Sequence, residues 1–485
     1  MSDRPNILMI VTDQQRGDCL SLDGHPVVQT PHIDEIGGSG AFFRHAYSAC
    51  PLCIPARRTL LTGMRACSHG LVGNQRIDMD LPTLPQVLKN EGYQTHLCGK
   101  LHFWPERKRF GFDSMDWSDG PYEGSALGDY GSYLYSQVGR LPRASLAHGA
   151  SLNSPIARPW HLEDRLHFTN WVTDRALEFL ERRDPSAPYF LNLSYFHPHV
   201  PCTPPEFYYD RYIRMDLPDA SIGDWARISD SPVAGQPIRG RRFLGSRDML
   251  RQFQAGYFGC INHIDDQVGR VLDTIDNENT IVVFVSDHGE MLGDHQYFQK
   301  SQFCEASARI PFLMRMPDAM GISQEQVHDV PVELMDVMPT LLDAVGIDAP
   351  DTIEGESLVP LLRGKTDCVR DHVHIENVNS GYKGHPEAVT QALTDGRWKY
   401  VWRPMLDDEL LFDLGKDPNE LEDLASDAHQ VDRLAEWRGR LVEELTGRPE
   451  GFTDGRTLIK QTELPPLVVS GTDAELAVTE GRMRN

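Results

Sequence analysis

Short apolar runs alternating with helix-patterned segments predict an α/β protein: a large, mostly parallel sheet flanked by helices, followed by a smaller α+β domain. The apolar runs are continuous rather than alternating, as expected of strands covered on both faces. Each stops abruptly at polar residues. The chain has 485 residues, enough for one large domain and a smaller one.

The first strand is read at Asn6 to Thr12, and others at Thr95 to Cys98, Phe190 to Phe196 and Thr280 to Ser286. Helical periodicity marks Leu84 to Glu91, Val172 to Arg182, Gly259 to Asp276 and Val332 to Val345. Strands and helices in alternation predict a largely parallel sheet. Gly120 to Ala157 and Asp216 to Gly245 lack clear periodicity. Both are read as irregular insertions, the first bordering the site. Composition changes after Leu362-Arg363-Gly364-Lys365, which divides the chain into 1–365 and 366–485. The second part reads as strands at His372 to Glu376, Ala388 to Thr394 and Trp398 to Trp402. A turn at Asp417-Pro418-Asn419-Glu420 and a helix from roughly His429 to Leu445 follow. The tail after Gly451 carries little pattern.

Lys and Arg number 47 against 71 Asp and Glu, a formal net charge of −24. This argues against nucleic-acid binding, which needs clustered cations. A small anion remains compatible, because a local cationic pocket outweighs the mean field. Nine cysteines are too sparse for a disulfide framework. The run Ile7 to Val11 is too short for a signal-peptide core or a membrane span. The expectation is a cytoplasmic protein with reduced thiols and no membrane association; a homo-oligomer is compatible with the sequence.

Cys53-Ile54-Pro55-Ala56-Arg57 and the following Arg58-Thr59-Leu60-Leu61-Thr62-Gly63 are the most informative stretch. Pro55 suits the first turn of a helix and Gly63 its end. Cys53 then lies at a helix N-terminus, which favours an anion, and Arg57 shares its face. Cys50 and Cys53 also form a Cys-x-x-Cys, but no second pair follows, so a four-thiolate zinc site is not expected. The predicted strands end at Asp13-Gln14, Gly99-Lys100-Leu101-His102, His197-Pro198-His199 and Asp287-His288-Gly289. Ligands in open parallel sheets bind beyond the carboxyl ends of the strands. Carboxylates, imidazoles and an ammonium therefore meet at one sheet edge.

The Cys-x-Pro-x-Arg core resembles the signature of the formylglycine-dependent sulfatases of the alkaline phosphatase superfamily. The resemblance covers roughly residues 4 to 425. It implies an alkaline phosphatase-like fold and oxidation of Cys53 to formylglycine by a maturation enzyme. Asp13, Asp287 and His288 match metal-ligand positions, with Gln14 and the oxidised Cys53 completing the site. Gln14 and His288 stand where many sulfatases have Asp and Asn. These pairs are similar to those of choline sulfatases and phosphonate monoester hydrolases. One divalent metal is implied, with calcium and manganese as the leading candidates.

By the same resemblance, Lys100 and His102 hold an anionic oxygen and handle protons, and His199 contacts the scissile ester oxygen as proton donor. Lys300, ahead of Glu305 and Arg309-Ile310-Pro311, binds the substrate's anion, and Asn74 is a further substrate-binding position. The implied activity is hydrolysis of small sulfate monoesters. A phosphonate monoester or phosphodiester hydrolase is the alternative, and an inactive binding protein of the same fold is a third reading. Trp104, Trp117, Tyr122 and Tyr130 are candidates either to line the pocket of the alcohol portion or to pack in the core.

Overall fold

The computed structural model describes residues 4–121, 128–139, 149–150, 153–226, 243, 245–378, 389–463 and 465–466. In chain order the first ten strands are β1 (Asn6–Asp13), β2 (Ala41–Phe43), β3 (Ala46–Tyr47), β4 (Gln94–Gly99), β5 (Ser114–Trp117), β6 (Tyr189–Pro198), β7 (Thr280–Ser286), β8 (Phe312–Arg315), β9 (Gln326–His328) and β10 (Val332–Glu333). Eight of them form one sheet in the order β5-β4-β6-β1-β7-β8-β2-β9. Within it β8 runs against its neighbours β7 and β2, while the other pairings are parallel.

The helices are α1 (Pro31–Gly38), α2 (Cys53–Thr62), α3 (Leu84–Asn90), α4 (Asp129–Val138), α5 (Phe168–Arg182), α6 (Glu206–Ile213), α7 (Arg247–Leu272), α8 (Glu305–Ala308), α9 (Val337–Ala344), α10 (Val359–Leu362) and α11 (Val431–Leu445). Alternate residues of β1 feed two cores. Ile7, Met9 and Val11 pack with Leu60 of α2, Leu88 of α3 and Leu341 of α9. Leu8 and Ile10 pack with Ile36 of α1, Val172 of α5 and Ile264 of α7. Burial on both faces explains why the strand sequences are continuously apolar.

The C-terminal sheet is antiparallel, in the order β11 (Val373–Val378), β12 (Val389–Thr394), β13 (Trp398–Arg403), β14 (Asp408–Asp413). Its outer strand β14 is not evident in the sequence, because Asp408 and Glu409 precede its short apolar core. Arg403 and Asp408, paired at its open end, close the hairpin.

Three helical expectations need correction. The helix expected from Gly259 starts at Arg247, where Ser246 accepts the Met249 N–H as a cap, and it ends at Leu272 rather than Asp276. Gly256 and Gly259 mask its first half in sequence; a Cβ at Gly259 would press on Pro204 and on the backbone of Tyr208. Val332 to Val345 is not one helix: Val332 pairs with Ala46, and a reciprocal Glu333–Asp336 box starts the turn into α9. The segment Gly120 to Ala157 contains α4, with Tyr130 and Leu134 buried one turn apart. Its residues 122–127, 140–148 and 151–152, Tyr122 among them, lie outside the described residues, as do 227–242 and 244 of the second insertion and the tail beyond 466. Among the described residues no helix is long and apolar enough to cross a membrane.

Candidate active site

The four strands expected to deliver polar residues are adjacent in the sheet, in the order β4-β6-β1-β7. Their carboxyl ends therefore open into one crevice. Gly99 ends β4 at φ 100°, and a Cβ there would meet the Ser194 carbonyl oxygen at 2.0 Å, so only glycine lets β4 and β6 approach. The turn that follows presents Lys100. Helix α2 begins at Cys53 and ends at Gly63 in the left-handed region, φ 66°. All ten of its residues are buried.

Cys53 is the centre of the cluster. Its Sγ lies 2.9 Å from Lys300 Nζ, 3.3 Å from His288 Nε2 and 3.9 Å from Asp13 Oδ1. Burial raises the thiol's pKa, but Lys300, Lys100 and His288 outweigh burial and hold it well below the ordinary thiol value. Lys100 Nζ donates to Asp13 Oδ2. Burial and Cys53 push Asp13 up, yet Lys100, His199 and Lys300 bring it below the usual carboxylate range. Asp287 is pushed upward, by burial first and then by Asp13.

Arg57 does share a helix face with Cys53, but its guanidinium is committed elsewhere. Nε donates to Asp287 Oδ2 at 2.8 Å, and Nη1 donates to Ser194 Oγ at 2.9 Å and to the Lys100 carbonyl at 3.1 Å. Its place is behind the carboxylates, fixing their direction.

The donor set fits a divalent cation. Ligand atoms of Asp13, Cys53, Asp287 and His288 lie within 4.8 Å of one another, all buried. His288 Nδ1 faces the Gly289 carbonyl at 3.0 Å. A carbonyl only accepts, so Nδ1 carries the proton and Nε2 keeps its lone pair for a ligand. Gln14, held at φ 74°, turns its Oε1 toward the same point, where it accepts from Lys300 Nζ at 2.8 Å. Two carboxylates, an amide oxygen and an imidazole suit a hard or borderline ion.

His199 donates from Nδ1 to its neighbour's Val200 carbonyl at 2.8 Å and also contacts Cys53. Burial, then Lys300, lowers its pKa to about 4. The resting ring is therefore neutral, with an unprotonated Nε2. His102 sits at φ 61°, anchored by its N–H to Asp119 Oδ1 at 2.8 Å, and also bonds Cys53. Among the described residues its Nδ1 has no hydrogen-bond partner. Asn74 accepts the Ile54 N–H at 3.0 Å and so caps the N-terminus of α2. That contact supports the helix carrying Cys53.

The aromatic candidates separate. Trp117 packs in the core, as does Tyr130 against Phe168 and Trp171. Trp104 is 39% exposed, with Arg76 over its ring. Glu290 was missed: buried, it accepts from Gln14 Nε2, from the Gln299 N–H and from the Leu292 N–H at 2.9 Å. It fixes which way the Gln14 amide faces. Its only sequence signal is a carboxylate just beyond Asp287-His288-Gly289. Tyr257, whose hydroxyl donates to the Gln14 carbonyl at 2.6 Å, comes from mid-α7 with no local signal at all.

Comparison with known proteins gives the family of the chain. The sulfatase family model matches residues 5–347, and the C-terminal model of N-sulphoglucosamine sulphohydrolase matches residues 293–446. An arylsulfatase of Clostridium perfringens is 38% identical over 476 residues, 94% of this chain and 98% of that protein. A choline-sulfatase of Rhizobium meliloti is 28% identical, covering 87% of this chain and 82% of its own length. The crystal structure of a phosphonate monoester hydrolase of Agrobacterium radiobacter superposes with a TM-score of 0.76 at 24% identity, covering 91% of this chain and 95% of that one. By the family match and by near-complete coverage of a relative at 38% identity, this chain belongs to the sulfatase family of hydrolases.

Proposed function

We propose that the protein hydrolyses sulfate monoesters, with Cys53 oxidised to formylglycine and one divalent cation beside it. The observation that carries this reading is the convergence of the Asp13, Asp287 and His288 ligand atoms on the Cys53 side chain, with two lysine ammoniums at the same point. Asp13, Asp287, His288, the oxidised Cys53 side chain and Gln14 would hold the ion, calcium or manganese. When bound, it offsets the substrate's negative charge and favours a deprotonated nucleophile. Oxidised at Cys53, the side chain would supply, as its hydrate, one hydroxyl as nucleophile toward the sulfate sulfur and a second for the release of sulfate.

The chain's own groups do the rest. Lys100 and Lys300 bind sulfate oxygens and stabilise charge that builds in the transition state. Arg57 keeps Asp287 aimed. His199 presents an unprotonated Nε2 at rest, so it would take up the proton that the attacking hydroxyl releases and pass it to the leaving alcohol. His102, with an open Nδ1, serves as base when sulfate departs. The free thiols throughout suit the reducing, cytoplasmic setting expected from the sequence, and a formylglycine-generating enzyme is the required partner.

A phosphonate monoester or phosphodiester carries a second substituent where sulfate has only an oxygen. Lys100 and His102 fill that room, and the arylsulfatase relative favours sulfate. The test compares an aryl sulfate and an aryl phosphonate with one shared leaving group, using protein whose Cys53 peptide has been weighed by mass spectrometry. We expect the aldehyde mass, and kcat/KM at least about tenfold higher on the sulfate. Active protein with unmodified Cys53, or a preference for the phosphonate, overturns the respective half of the reading.

A further inference from the structure

Lys300 sits on a segment without regular secondary structure, between Gln299 at φ 67° and Ser301 at φ 66°. Two left-handed non-glycine residues flanking one side chain are unfavourable and persist only where the surroundings fix them. On the N-terminal side, Glu290 takes the Gln299 N–H. On the C-terminal side, the fixing comes from the C-terminal sheet. Asn377 of β11, 1% exposed, donates from Nδ2 to the Ser301 carbonyl at 2.5 Å. The Ser301 N–H donates in turn to the Pro51 carbonyl at 3.1 Å, two residues before Cys53.

Lys399 of β13 is fully buried and donates to the Phe303 carbonyl at 2.9 Å. Its ammonium also meets Glu305 Oε1 at 2.8 Å and Glu420 Oε1 at 2.7 Å. Glu420 Oε2 accepts the Glu305 N–H at 2.9 Å, at the first turn of α8. Lys399 and Glu420 belong to the Gly396-Arg397-Trp398-Lys399-Tyr400 strand and the Asp417-Pro418-Asn419-Glu420 turn, two sequence features that the chemistry at Cys53 does not use. Together they hold the backbone from Ser301 to Glu305.

We propose that the C-terminal sheet aims Lys300 at the Cys53 side chain, with Asn377 and Lys399 as its positioning residues. The proposal rests on the reading of Lys300 as an anion-binding group at the reacting centre. Neither residue touches substrate; each acts through the Lys300 backbone. A loosened segment lets the Lys300 ammonium drift from its 2.9 Å contact with Cys53, and displacement of a charged group at a reacting centre lowers turnover steeply.

Removing the buried Lys399 cation endangers folding, so Asn377→Ala is the primary variant and Lys399→Arg the conservative companion. Asn377→Ala, Lys300→Ala and the double variant are compared in the full-length, matured enzyme, with kcat and KM for an aryl sulfate and thermal unfolding recorded for each. We expect Asn377→Ala to lower kcat/KM on the order of tenfold, chiefly through kcat. In the Lys300→Ala background the same change costs less than about twofold, because nothing remains to be aimed. Lys399→Arg should keep most of the activity. Equal losses from Asn377→Ala in both backgrounds, or no loss beside an intact Lys300, overturn the proposal alone. Full activity of Lys300→Ala overturns the reading of Lys300 and the proposal with it.

Discussion

Two buried ionic clusters lie on either side of the Lys300–Glu305 segment, and they are built on opposite rules. Around Lys399, one ammonium faces two carboxylates and a carbonyl, so its charge is met by opposite charge. Its residues come from a β-strand, a turn and the first residue of α8. Around Cys53, lysines, an arginine, carboxylates, an imidazole and a thiol are drawn from strand ends, the first turns of α2 and the irregular segment that carries Lys300. There the groups are not all matched. Among the described residues, His102 Nδ1 makes no hydrogen bond, and ligand atoms of Asp13, Asp287 and His288 converge on Cys53. A buried ion pair that satisfies itself serves structure; buried groups left over and pointing at one place serve a ligand. Burial alone does not distinguish the two, since both lysines of the site and Lys399 are at most 3% exposed.

Substitutions should split the clusters by what they damage. The largest effect is expected for Asp287→Asn, which keeps side-chain volume and a hydrogen bond but removes a ligand charge. Activity on an aryl sulfate should fall on the order of 10³-fold, with a smaller loss of stability than at Lys399, because Asn still accepts from Arg57 Nε. Elemental analysis of the purified protein should show the divalent metal lost. Full metal content would take Asp287 out of the metal site. Lys399→Met should do the reverse in kind, because it leaves Glu305 and Glu420 buried without their cation. Breaking such a pair from one side costs about 3–5 kcal/mol. Denaturant unfolding measures this directly, and a variant as stable as the parent would mean that the clamp is decorative.

The cluster at Cys53 was far more legible in the sequence than the clamp, for a physical reason. Strand ends are punctuated locally: an apolar run stops, and the residues after it must lie at the sheet edge. Asp13, Lys100, His199 and Asp287 announce themselves that way, and Cys53 does so through Pro55 and Gly63. Lys399 looks like any strand lysine, because its partners, Glu305 and Glu420, come from elsewhere in the chain. Glu290 and Tyr257 were invisible likewise, being set by packing around Gln14 rather than by local pattern. The first half of α7 was hidden by Gly256 and Gly259, which long-range packing against Ala157 and Cys202 and against Pro204 and Tyr208, respectively, requires. The strand at Val332 was hidden because its partner is a two-residue strand at Ala46.

Asp265 offers the smallest test, because it is a buried carboxyl that no lysine or arginine meets. It lies on α7 with no exposed surface, accepts the Ile33 N–H at the start of α1 at 2.8 Å, and none of the groups acting on it is a Lys or Arg. Burial pushes its pKa up to about 8, against the N–H groups of Ile33 and His32 and aided by Asp266 and Asp34. The folded protein therefore keeps this proton where the unfolded chain, at the ordinary value of 3.8, releases it. The resulting stability is complete below the unfolded value and is lost as pH rises through the folded one. Asp265→Asn removes the titration while keeping a donor and an acceptor of similar shape. The variant should melt close to the parent at acidic pH and progressively above it as pH rises from about 4 to about 8, by a few degrees at the upper end. A gap in melting temperature that stays constant across that range would show that Asp265 does not carry the proton.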